Sequence, residues 1–134
     1  MTWPELDWGD VENAVTLWLR PRHIGVRVVQ ELPADLETKL PLVQVQVTPG
    51  GGEDGTTAVT LLDVESFGAS RTAMWELARA VHTSMLALAG HRSGGLVIDS
   101  VASDARPAPL DYGNPALRRA VATYRLTSRA QAPA

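Results

Sequence analysis

Asp63 and Glu65 stand two residues apart in an extended, β-rich stretch. On a strand that spacing points both carboxylates the same way. Paired carboxylates can serve as general acid and base when burial or a neighbouring charge perturbs one of them. Their sequence neighbours Leu62, Val64 and Ser66 bring no such charge, so a solvated, charged strand face accounts for the pair without catalysis. The three histidines, His23, His82 and His91, lack a second histidine or carboxylate at metal-ligand spacing on their own elements. His82 sits beside an apolar stripe and reads as a packed or interfacial side chain. His91 follows a helix-ending glycine, where a cation suits the helix dipole.

Gly50-Gly51-Gly52 invites comparison with a phosphate-binding loop. It lacks the Lys-Ser/Thr of a P-loop and precedes a strand, so a flexible hairpin tip is the better reading. Ser66, Ser70 and Ser93 have no nucleophile-elbow context. The sequence therefore offers no catalytic, cofactor-binding or metal site. The arginines form two loose groups, Arg20, Arg22 and Arg27 with His23, and Arg118, Arg119, Arg125 and Arg129. Without interleaved aromatics they read as surface charge, or as ion-pair partners of a neighbouring subunit.

Bulk properties set the frame. The chain has 134 residues, enough for one domain with its own core. Its net charge is −3, which disfavours a general nucleic-acid-binding surface. It has no cysteine, which excludes disulfides, thiolate zinc sites and cysteine nucleophiles and fits a cytosolic origin. No apolar run approaches the ~18 residues of a membrane span. The acidic start, Met1 to Trp8, lacks the basic and apolar regions of a secretory signal.

Local patterns then give the elements. Asp10 caps a first helix whose Val11, Ala14, Val15, Trp18 and Leu19 recur at helical spacing, and Pro21 ends it. Val26–Val29 is a short strand, and one turn of helix is expected near Asp35–Thr38. Leu42–Thr48 alternates, with Val43, Val45 and Val47 on one face and Gln44 and Gln46 on a solvated one. Pro49–Gly55 reads as a loop too long and glycine-rich for a tight hairpin. The next strand spans about Thr57–Phe67, with a bulge expected near Leu61-Leu62. Ser70 caps a long helix to about Ala89, stopped by Gly90. That helix carries a main apolar stripe (Met74, Leu77, Ala78, Val81, Met85, Leu88) and a second, partial one (Trp75, His82, Leu86), so it is either deeply buried or covered by a partner. Gly95–Ala102 is a fourth strand, Ser103–Pro115 a long loop, and Arg118–Ser128 a last strand with Ala120, Ala122, Tyr124 and Leu126 on one face.

The expected fold is α+β, a mostly antiparallel five-stranded sheet with two helices on one face, in the order α-β-β-β-α-β-β. The expected organisation is an arm over 1–9, one domain over 10–128 and a frayed tail over 129–134. Trp3 and Trp8 in the arm would pack back on the domain or anchor a partner.

Several stretches carry a resemblance. Asp10-Val11-Glu12-Asn13-Ala14-Val15 through Trp18-Leu19 resembles the opening helix of tail terminator proteins of long-tailed bacteriophages, especially those of actinobacterial hosts. Gly25-Val26-Arg27-Val28, Glu31-Leu32-Pro33, Leu40-Pro41-Leu42-Val43 and Leu62-Asp63-Val64-Glu65-Ser66-Phe67-Gly68 are similar to the segments that follow. The ending Asn114-Pro115-Ala116-Leu117-Arg118-Arg119 into Ala122-Thr123-Tyr124 is similar too. The likeness spans about Asp10–Thr127, and the Trp3/Trp8 arm falls outside it. It implies a non-enzymatic virion protein without cofactor, which caps the tail tube as a ring, typically of six copies, and ends tube polymerisation. Its implied partners are its own copies, the tail tube protein and the head–tail connector. Genomic DNA would pass through the ring without sequence-specific binding, and no membrane is involved. The implied place is the head-proximal end of the virion tail, after assembly in the host cytoplasm. The expected contact residues are Trp3, Trp8, Gly50, Gly51, Gly52, Glu53, Asp54, Trp75, His82, Arg118 and Arg119. A neighbouring connector or stopper protein and a small-molecule-binding α+β module are the alternatives.

Overall fold

The computed structural model describes residues 5–131. Helix α1 (Val11–Leu19) opens the fold, and the Asp10 carboxylate accepts from Asn13 N at 2.9 Å. A 3-10 turn over Arg20–Arg22 follows where Pro21 breaks the helix. Strand β1 (Arg27–Val29), a 3-10 turn (Leu36–Thr38), β2 (Leu42–Asp54) and β3 (Thr57–Gly68) come next. Helix α2 (Arg71–Ala87) is capped by Ser70 Oγ, which accepts from Ala73 N at 3.1 Å. Strands β4 (His91–Ser93), β5 (Leu96–Pro109) and β6 (Arg118–Arg129) complete the chain.

The six strands form one sheet in the order β1-β2-β3-β6-β5-β4, antiparallel except for the β1–β2 pair. The architecture is α+β, as the sequence implies, with one strand more than the five expected. The addition is β4, three residues pairing with the start of β5. It is too short for any alternation to register, and the helix-ending Gly90 simply turns the chain into it.

Both helices cover one sheet face. Helix α1 packs on β1, β2 and β4, and α2 on β3, β5 and β6. Val45, Val64 and Ala122 stand side by side in register beneath them, as do Leu62 and Tyr124, all in one core with Val15, Leu19, Val81 and Met85. Because α1 touches strands at both sheet edges, the sheet curls around the helices.

Four local expectations are corrected. Pro49–Gly55 is not a loop: β2 continues to Asp54, and Gly55-Thr56 alone make the turn, with Asp54 paired to Thr57. The irregularity expected at Leu61-Leu62 lies instead across the sheet on β2, between Thr48 and Gly52, while β3 runs regularly against β6. The extra residues that suggested a loop are absorbed there. Gly51 sits in the bulge at φ +77°, and a Cβ on it would fall 2.1 Å from Val59 O, so glycine is required. Likewise Ser103–Pro109 belongs to β5, which leaves only 110–117 as loop. Gln44 is buried rather than solvated and donates to Gln30 O at 3.4 Å.

The two ends of the described chain meet. Asp7 N donates to Gln131 O at 2.9 Å and Gln131 N to Asp7 O at 2.8 Å.

Candidate functional site

Asp63 and Glu65 lie on the sheet face away from the helices. Thr123 Oγ1 donates to Asp63 at 2.7 Å. Arg119 Nη1 meets Glu65 at 3.2 Å. Burial raises the Glu65 pKa, Arg119 opposes the shift and Asp63 adds to it. Further along this face Arg125 pairs with Asp104 at 3.0 Å and Arg129 with Asp99 at 2.6 Å. Each of these arginines is neutralised by a neighbouring carboxylate, so the face is a lattice of internal pairs. Among the described residues, no group of three or more His, Asp or Glu side chains could hold a metal ion.

The histidines are structural contacts. His82 Nδ1 lies 2.6 Å from Tyr124 Oη, joining α2 to β6. Burial first, then Arg106, lowers the His82 pKa, and burial raises that of Tyr124, so both are neutral near pH 7 and share one proton in the bond. His23 Nε2 meets Ser84 Oγ at 2.9 Å, beside the Trp18 indole that donates to Ser84 O. His91 leans on that indole from another side. In the first arginine group, Arg20 donates to Val28 O, and the Arg22 guanidinium lies 3.2 Å from the Trp18 ring centroid. These groups fasten the end of α1 to α2 and β1.

The remaining expected contact residues fall into separate surfaces. Gly50, Gly51 and Gly52 hold the bulge, and Glu53 and Asp54 stand exposed at the tip of the β2–β3 hairpin. An open cleft of about 610 Å³ lies between the tip and Arg125. Arg118 and Arg119 bind the 110–117 loop. Arg119 donates to Asp111 O at 3.0 Å and lies over the Tyr112 ring, which packs edge-on against Phe67. That loop and the start of α2 enclose a groove of about 500 Å³ with Met74, Leu117 and Arg71 in its walls. Trp8 is half-buried near the Asp7–Gln131 bridge, and Trp3 lies outside the described residues.

Trp75 and His82 do come together. They line a shallow cavity of about 320 Å³ with Arg79, Thr83, Arg106 and Pro107. Trp75 also borders a second one of about 480 Å³ between Arg71 and Arg79. Arg79 and Arg106 escape a reading based on apolar periodicity. The signal that marks them in part is the i, i+4 repeat Arg71, Trp75, Arg79, which puts all three on one helix face.

The one serine hydroxyl described above against an imidazole, Ser84 Oγ at 2.9 Å from His23 Nε2, lies in the contact that fastens α1 to α2. The chain matches no protein-family profile and no curated protein. Its fold is similar to that of one chain in a solved structure described as the virion of a native gene transfer agent (GTA) particle. The TM-score is 0.66 at 18% identity, over 89% of this chain and 94% of that chain.

Proposed function

We propose that this chain is a non-enzymatic structural subunit of a phage-like virion. More finely, we propose that it is the tail terminator, a ring of six copies that caps the tail tube, ends its polymerisation and forms the joint to the head connector. The observation that carries the reading is the fold likeness to a chain of a virion particle, over 89% of this chain and 94% of that one.

The surface chemistry suits that role. A ring needs two different, mutually complementary sides that close on rotation. The β2–β3 hairpin and the face of α2 beside β5 lie on opposite sides of the sheet order and differ in chemistry. A passage for DNA must not grip phosphate, since each free lysine or arginine adds salt-dependent affinity. On the sheet face away from the helices, Arg119, Arg125 and Arg129 are each already paired. That face suits the lumen.

Electron microscopy of the purified chain with tail tubes from the same source tests the reading. Rings at one tube end with growth halted are expected. Tubes that stay bare and keep growing while the chain still forms rings would favour a connector or stopper instead. A chain that never oligomerises would favour a small-molecule-binding module.

A further inference from the structure

Helix α2 and strand β5 leave three arginines without an ion-pair partner among the described residues: Arg71, Arg79 and Arg106. They frame the half-buried Trp75, and Glu76 is the one acidic residue lining the same two shallow cavities. This is an aromatic centre with a cationic rim, of the kind that anchors protein contacts. Away from these cavities, the tip of the β2–β3 hairpin carries Glu53 and Asp54. Both are exposed, neither has an ion-pair partner among the described residues, and no lysine or arginine occurs from Pro49 to Thr60. The tip is pinned by the Gly51 bulge and the two-residue turn, so it presents its charges on a paired ribbon. The tip ends the β2–β3 hairpin, whereas the Trp75 patch is built from α2 and β5, so the two are separate surfaces of one copy.

We propose that the acidic tip Glu53-Asp54 of one copy seats on the arginine-framed Trp75 patch of the next, as the lateral contact that closes the ring. This rests on the ring reading above and adds the surfaces that make it. The contact is heterologous, and its opposite charges also set its direction.

Charge reversal in the full chain tests it, read by sedimentation velocity. Glu53→Lys/Asp54→Lys and, separately, Arg79→Glu/Arg106→Glu should each weaken self-association at least about tenfold. All four positions are exposed, so circular dichroism and Tm should hold. Mixing the two variants should restore rings, because each tip then meets a patch of opposite charge. Wild-type rings that neither reversal affects would overturn the tip-to-patch contact and leave the ring reading standing. A wild-type chain that stays monomeric even on tail tubes would overturn both. If the patch variant still forms rings but loses binding of a single-stranded oligonucleotide that wild type retains, the arginines face nucleic acid and the proposal falls.

Discussion

His82 and Glu65 give the molecule opposing responses to pH. The folded-state pKa of His82 lies below its ordinary 6.5 because burial and Arg106 both disfavour the charged ring. The unfolded chain therefore binds the proton more readily. The stability tied to this histidine is present above about pH 6.5 and is lost as pH falls through the folded value. His23 is shifted in the same direction, by burial and Arg22. Glu65 runs the other way: its raised pKa gives stability that is present below the unfolded value and lost as pH rises through the folded one. Melting curves from pH 7.5 down to 5 should show Tm falling below about pH 6.5, and His82→Gln should make that fall shallower. An unchanged slope would mean that His82 does not titrate with unfolding. Position beside an apolar stripe gives His82 from sequence as packed or interfacial. Its partner Tyr124 lies 42 residues away and was beyond any local pattern. Arg106 was equally remote, since the pairing of β5 with β6 beneath α2 is what brings it to the ring.

At the scale of elements, the parts that local chemistry decides were legible and the parts that pairing decides were not. Asp10 and Ser70 both cap as their positions imply, because a side chain three residues before a free N–H needs nothing else. The glycine run and the proline-rich stretch misled for a shared reason. Each departs from alternation, yet the cross-strand ladder absorbs the departures as register shifts, between Thr48 and Gly52 on β2 and at three places along β5. Removing Gly50–Glu53 would therefore take out residues paired with β3, so a charge change at the tip is the cleaner probe of contact. Arg119 is the side chain that ties the start of the 110–117 loop to the sheet. Arg119 joins Glu65, Leu110 O and Asp111 O and covers Tyr112, although only 16% of its side chain is exposed. Arg119→Ala should cost about 2 kcal/mol, since hydrogen bonds from a charged group to partly buried acceptors are lost together. Hydrogen exchange should rise at Leu110, whose N–H bonds Arg119 O, before it rises in the β3–β6 ladder. Uniform loosening of both would mean that Arg119 supports the sheet rather than the loop.

Across the whole molecule the open question is how two long, incompletely covered strands avoid adding to one another. Strand β1 pairs only with Leu42–Gln44 of β2, and β4 only with Leu96–Ile98 of β5, so both strands run on beyond their outer partners. On β2 the next outward N–H, that of Val47, is taken by Glu12 Oε2 of α1 at 2.9 Å. A carboxylate there blocks an incoming strand. On β5 the Leu110 N–H turns inward to Arg119 O, which leaves Pro109 at an outward position where its missing donor costs nothing. Pro107 and the register shifts add to the same effect. These features disfavour strand addition at the uncovered parts of β2 and β5, which fits the proposal that lateral contact runs through side chains of the acidic tip and the arginine-framed tryptophan. Pro107→Thr/Pro109→Thr should leave Tm nearly unchanged and reopen the outer edge of β5. Light scattering on concentrated protein should then show irregular, growing aggregates, whereas on the proposed ring reading wild type should give a closed species of fixed size. If the double variant stays as well behaved as wild type, the prolines are not what guards that edge, and strand addition returns as a route between neighbouring copies.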